Sequence, residues 1–128
     1  MTDNKVSWVD LPIQDLDGAQ RFYGEVFGWS FQAYSDEYMT MKDADGKQFG
    51  ALDKVLADRQ LAEGRRSPRV YVKVDDLEST FAKVSAAGGK IIKGRMEIRP
   101  AAEPGWWAVV HDAEGLELGL WTLNPPVD

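Results

Sequence analysis

The sequence predicts an α+β fold built from two copies of one strand-helix-strand-strand-strand unit, and three observations carry that prediction. The stretch Asp43-Ala44-Asp45-Gly46-Lys47-Gln48-Phe49-Gly50 returns as Asp112-Ala113-Glu114-Gly115-Leu116-Glu117-Leu118-Gly119, with Asp, Ala and both glycines kept in place. A strand-like alternation followed by an Asp-Leu pair also occurs twice, ending at Asp15-Leu16 and at Asp76-Leu77. Finally, the two Asp-Leu pairs and the two turns keep nearly the same offset, so the second copy carries only a few extra residues.

In chain order, Val9, Leu11 and Ile13 alternate with Trp8, Asp10 and Pro12, the period of a half-buried strand. Asp15 is the expected helix N-cap; Leu16, Ala19, Phe22, Tyr23, Val26 and Phe27 recur at helical spacing, and Gly28 supplies a left-handed end. Strands are expected over 29–34, 38–42 and 48–52, with the Asp43 turn between the last two. The stretch 54–67 reads as a partly helical connector anchored by Leu56 and Leu61, and Arg65-Arg66 as a solvated run. Val70, Val72 and Val74 then alternate with Arg69, Tyr71 and Lys73, and Asp76 caps a helix with Leu77, Phe81, Val84 and Ala87 on one stripe. Strands follow at 90–93, at 106–111 and after the Asp112 turn, and 94–105 reads as a loop holding the extra residues. In the last strand Leu116, Leu118 and Leu120 form the core side, leaving Glu117, Gly119 and Trp121 on the other.

At 128 residues with 44% hydrophobic content the chain has the size of one domain with a sizeable core. The organisation expected is a single domain over 1–128, with a first unit at 5–53, a connector at 54–67 and a second unit at 68–124. A net charge of −6 disfavours nucleic acid and anionic membranes as partners. The chain has no cysteine, which removes thiolate metal sites and cysteine nucleophiles. Its polar start lacks the pattern of a signal peptide, and the expectation is a cytoplasmic protein.

Leu-Pro-Ile-x-Asp before the first helix, Phe22-Tyr23-x-x-Val26-Phe27-Gly28-Trp29 at its end, Val74-x-Asp76-Leu77 and Asp112-x-Glu114-Gly115 together resemble the glyoxalase/bleomycin-resistance/extradiol dioxygenase families of the vicinal oxygen chelate superfamily. The resemblance runs over roughly 6–123 and implies a glyoxalase-like fold: two βαβββ units whose sheets curl around one concave ligand cleft. It leaves open whether the units close within a chain or across a homodimer. Enzymes of the superfamily hold a divalent metal with His and Glu from the first and last strands of each unit. The matching positions here are Trp8, Gly50, Arg69 and Gly119, none a usual side-chain ligand. The chain has one histidine, His111, where nitrogen-and-oxygen catalytic sites commonly use more than one. The expectation is therefore no metal and no cofactor, although Asp10, Gln48 and Glu117 stand two residues from the substituted positions.

Trp8, Trp107 and Trp121 are expected to line the cleft with Asp10, Gln48, Arg69, Tyr71 and Glu117. Gly50 and Gly119 are expected to leave slots between aromatic faces, which planar ligands occupy. The leading function is metal-independent binding of an aromatic or extended organic compound, with sequestration of a toxic natural product, a form of antibiotic resistance, as its use. The alternative is a lyase- or isomerase-type enzyme in which Asp10, Glu117 or His111 acts as acid or base. A third reading is a partner-binding domain with a filled cleft; for His111, a structural place at the sheet rim is weighed against the general base.

Overall fold

The computed structural model describes residues 4–98 and 105–125. The chain divides into two compact units: Trp8–Arg69, and Val70–Asp128 together with Met1–Ser7. The boundaries fall inside two strands, β1 (Val6–Pro12) and β5 (Arg69–Lys73).

The first unit runs from β1 through α1 (Leu16–Phe27), β2 (Ser30–Ser35), β3 (Tyr38–Lys42) and β4 (Gln48–Asp53) to α2 (Lys54–Ala62). Its strands lie in the order β2-β3-β4-β1, antiparallel except for the parallel β4–β1 pair. Asp15 caps α1 by accepting from the Gly18 amide at 3.0 Å, and Gly28 ends the helix at φ 73°. At that positive φ a β-carbon would be strained, which is why glycine serves there. Asp53 caps α2 in the same way, through the Leu56 amide at 2.9 Å. Met41, Ala51 and Leu52 of the sheet are fully buried, as is Ala57 of α2.

The second unit continues from β5 through α3 (Leu77–Ala86), β6 (Lys90–Glu97) and β7 (Trp106–His111) to β8 (Glu117–Thr122), with strands in the order β5-β8-β7-β6. Asp76 caps α3 by accepting from Ser79 N at 3.0 Å. Its core joins Val74, Leu77, Ala108, Val110 and Leu120, with Phe81 and Val84 of α3 and Leu118 of β8 packed against them. The alternation in β7 and β8 thus sends one side chain in two toward α3 and the next to the opposite face.

The two hairpin turns form the same hydrogen bonds. Asp43 Oδ1 accepts from the amides of Asp45 and Lys47, at 3.0 and 2.9 Å. Asp112 Oδ1 accepts from Glu114 and Leu116, both at 2.9 Å. A side-chain oxygen replaces strand partners that the turn backbone lacks, so an Asp-x-x-Gly turn is specified by chemistry within five residues.

Several expectations are corrected. Phe22, Val26 and Phe27 of α1 are exposed, and no residue of that helix is buried, because an apolar stripe can be wider than the surface that covers it. In β1 the buried side chains are Asp10 and Pro12, while Val9 and Leu11 are only half-buried. Leu116 and Leu61 are exposed. Trp29 sits half-buried in an aromatic cluster, stacked with Tyr23 at 5.3 Å and edge-on to Phe49 at 4.7 Å between centroids. Residues 94–97 extend β6, so only part of the expected loop remains, and 99–104 lie outside the described residues. Arg66 is not simply solvated; its Nε donates to the Pro12 carbonyl at 3.0 Å. Among the described residues no helix is long and apolar enough to cross a membrane.

Candidate functional site

In the first unit, β1 and β3 build a polar network around Asp10, which is 2% exposed. Asp10 Oδ1 accepts from Trp8 Nε1 at 2.9 Å and from Tyr38 Oη at 2.8 Å. The indole N–H also lies 3.3 Å from the Tyr38 oxygen. Arg69, 6% exposed, brings its guanidinium to 3.9 Å from Asp10 Oδ2, which is ion-pair range but too long for a hydrogen bond. A buried carboxylate needs such partners, because desolvation penalises a charge left alone. Two donors on Oδ1 and a guanidinium near Oδ2 tie the Asp10 side chain to the groups around it. Strand alternation puts Trp8 and Asp10 on one side of β1; Tyr38 reaches them from a position 28 residues beyond Asp10.

In the second unit, the face opposite α3 carries Tyr71, Lys73, Trp107, Val109, Glu117, Gly119 and Trp121. Register brings them side by side: Tyr71 pairs with Gly119, Lys73 with Trp121, Trp107 with Trp121, and His111 with Glu117. Directly opposed residues on neighbouring strands have β-carbons about 4.5–5.5 Å apart. The Lys73 ammonium lies over the Trp121 ring and the Lys93 ammonium over the Trp107 ring, each 5.0 Å from the ring centroid. Trp121 is oriented by its own N–H, which donates to Ser7 Oγ at 2.9 Å. Both indoles are half-buried. At the rim, the amides of Leu116 and then Glu114 hold the Asp112 carboxyl below its ordinary value.

Neither glycine opens a slot, which corrects the expectation. A β-carbon on Gly119 would sit 2.3 Å from the Tyr71 ring, so the space that glycine leaves is filled by tyrosine. A β-carbon on Gly50 would meet the Val9 carbonyl at 2.2 Å and the Met41 methyl at 2.9 Å. Register explains the contrast: Gly119 pairs with Tyr71, but Gly50 pairs with Val9, and Asp10 pairs with Ala51. A register shift beside Met41 and Lys42 on the β3–β4 pair displaces Gly50 from the Trp8 and Asp10 face. Gln48 is exposed.

The structure therefore brings Trp8, Asp10 and Arg69 together in one unit, and Tyr71, Trp107, Glu117, Gly119 and Trp121 onto one face of the other. His111 and Glu117, two acid/base candidates, are cross-strand partners. Sequence reasoning missed Tyr38 and Lys93. Tyr38 carries no signal without knowing which strands pair, and β6 changes register on both sides of Lys93, which spoils counting by twos. The residues at the superfamily's ligand positions do not fit a divalent metal. Trp8 offers only an N–H, already given to Asp10, Arg69 brings a cation, and among the described residues no three of His, Asp and Glu form a metal-holding group.

Residues 5–42 match the family described as bleomycin resistance protein-like N-terminal. A glyoxylase-like domain-containing protein of Didymella fabae is 28% identical, covering 87% of this chain and 88% of its own length. An anthracycline biosynthesis protein of Streptomyces peucetius is also 28% identical, over 90% of this chain but 46% of its own length. The Mn(II)-bound glyoxalase from Novosphingobium aromaticivorans superposes with a TM-score of 0.67 at 18% identity, covering 98% of this chain and 42% of that one. The chain thus spans about half the length of these last two proteins.

Proposed function

We propose that this chain, as a member of the glyoxalase/bleomycin-resistance superfamily, binds a small aromatic organic compound, without a metal ion, on the tryptophan face of its second unit. The observation that carries this reading is the cross-strand pair Trp107–Trp121, two half-buried indoles side by side on the face turned away from the α3 core. Half-buried indoles offer large apolar area and a flat surface at small cost in side-chain freedom, which suits a planar ligand. Metal independence is supported by the residues themselves, since Trp8, Gly50, Arg69 and Gly119 stand where the superfamily places ligands. The likeness to an anthracycline biosynthesis protein supports a planar natural product as the ligand, and sequestration of such a compound is the use this reading gives.

Titration of tryptophan emission with planar aromatic compounds, in the presence of a chelator, tests the reading. Saturable quenching is expected, and Trp107→Leu or Trp121→Leu should each weaken binding by about tenfold, from lost stacking and lost apolar burial. Trp8→Phe is the control: it removes a donor from Asp10 and should lower the melting temperature with affinity kept. Loss of binding on chelation, or equal affinity in all three variants, contradicts the proposal. A second reading, proton transfer at a carbon acid, is favoured by the His111–Glu117 pairing alone. Deuterium exchange into a bound carbonyl compound that disappears in Glu117→Gln is its test.

A further inference from the structure

The tryptophan face carries more information than its aromatic character, because each indole has an ammonium over it. The chain has 21 acidic residues against 15 basic ones. Some cations lie beside carboxylates, Arg95 by Glu78, Arg69 by Asp10, Lys54 by Asp58 and Arg65 by Glu63, and Arg95 also lies 5.5 Å from the Trp106 centroid. Lys73 and Lys93 are set apart by sharing the sheet face opposite α3. Among the described residues neither ammonium is ion-paired with a carboxylate, and each rests on a ring of the same face. Resting on the reading that this face binds a ligand, we propose that the ligand is a planar aromatic anion, such as a carboxylate or an ionised phenol, whose charge is taken up by Lys73 and Lys93.

The reason is what happens to the two lysines when a ring arrives. An ammonium over an exposed indole gains about a two- to fivefold preference for that position, so it moves aside easily. A neutral planar ligand that stacks on Trp107 or Trp121 displaces the ammonium and offers nothing in return. A cationic ligand adds repulsion. An anionic one lets each lysine swing on its flexible stem from ring face to ligand charge, exchanging a cation–π contact for a charge-assisted hydrogen bond at the edge of an apolar surface. Two cations, on β5 and on β6, flank two rings on β8 and β7, so the charges stand at either side of the flat area. Of the other titratable groups of this face, Tyr71 pairs with Gly119, and Glu117 and His111 pair with each other, two residues from Gly119 and four from Trp107, toward the Asp112 turn. The anion is therefore expected within reach of the Lys73 and Lys93 ammonium groups, and the ring of the ligand on Trp121 and Trp107, over which they lie. Net negative charge on the whole chain opposes anions in general, so selection of one must come from this local pair.

The test compares 2-naphthoate with 2-naphthamide, which have the same ring and differ in charge, by tryptophan quenching and by the indole N–H signals in a nitrogen-correlated NMR spectrum. Naphthoate is expected to bind at least tenfold more tightly, to move the Trp107 and Trp121 signals, and to weaken as salt rises. Lys73→Met and Lys93→Met keep the aliphatic stem and remove the charge; each should cost naphthoate about fivefold or more and leave naphthamide unchanged or slightly tighter. Lys73→Arg should retain most of the naphthoate affinity. Equal binding of both probes, with the Trp107 and Trp121 signals moving, overturns the charge assignment and leaves the binding function standing. Failure of both probes to move those signals overturns the binding function, and this inference with it.

Discussion

Asp10 in the first unit and Tyr71 in the second stand at the same place in their strands, five residues before the Asp that caps the next helix, and their surroundings are opposite. Asp10 is fastened by Trp8, Tyr38 and Arg69 into a network of fixed donors. Tyr71 fills the space beside Gly119 in a face of tryptophans and lysines. The helices differ too: α3 closes a core through Leu77, while α1 leaves Phe22, Val26 and Phe27 exposed. The parts the units share, Asp caps and Asp-x-x-Gly turns, are those whose chemistry is local. The parts that diverged make no local structure, so one copy could become a charged clamp and the other an aromatic platform without disturbing the strand order.

The sharpest way to break the comparison is at the clamp. Arg69→Ala leaves the Asp10 carboxylate buried without its cation and should cost about 3–5 kcal/mol in urea unfolding. Adding Asp10→Asn, which keeps an oxygen for Trp8 and Tyr38, should return part of that. A cost below about 1 kcal/mol would mean that the pair is not the fastening described. The helices come next. Leu77→Ala, at a fully buried site, should lose about 2–5 kcal/mol, whereas Phe22→Ala in α1 should stay within about 1 kcal/mol. Similar losses from the two would show that α1 is covered by something in solution.

The two glycines sharpen the contrast at smaller scale. Gly119→Ala meets a side chain that can move, and a cost of about 1–3 kcal/mol is expected. Tyr71→Leu should relieve it, giving a coupling of about 1 kcal/mol or more in a double-mutant cycle. Gly50→Ala meets the Val9 backbone carbonyl and should cost at least as much, with no rescue from Met41→Ala. Additive behaviour of Gly119→Ala and Tyr71→Leu would contradict the filled-space account.

The smallest effect is at the Asp112 turn, whose carboxyl is held below its ordinary value of 3.8 by the Leu116 and Glu114 amides. A depressed folded-state value means the ionised carboxylate stabilises the fold above about pH 3.8, and that this contribution is lost as pH falls through the depressed value. Asp112→Asn should therefore lower the melting temperature slightly at neutral pH, with the difference from the parent protein closing as pH falls through that acidic window. An unaltered profile would place the acid sensitivity elsewhere, at Glu78 beside Arg95 or Asp58 beside Gln14 and Lys54, the carboxyls also held low.

Much of this molecule is legible in its residues taken a few at a time. Asp15 and Asp76 cap helices because a carboxylate reaches the amide three positions on, and Gly28 ends a helix because it accepts that φ without strain; Asp53 caps α2 in the same way, although the sequence reading did not single it out. Asp43 and Asp112 set their turns through bonds spanning four residues, and the alternation of β8 correctly separated Leu118 and Leu120 from Glu117, Gly119 and Trp121. What only the tertiary structure decided is every relation that depends on register between distant strands. The shift beside Met41 moved Gly50 off the Trp8 face, Tyr38 found Asp10 across 28 residues, and Lys93 came to rest on Trp107 despite the irregular pairing of β6. A one-residue change of register turns a side chain to the other side of a sheet, and nothing within a strand's own sequence records where its neighbour slipped.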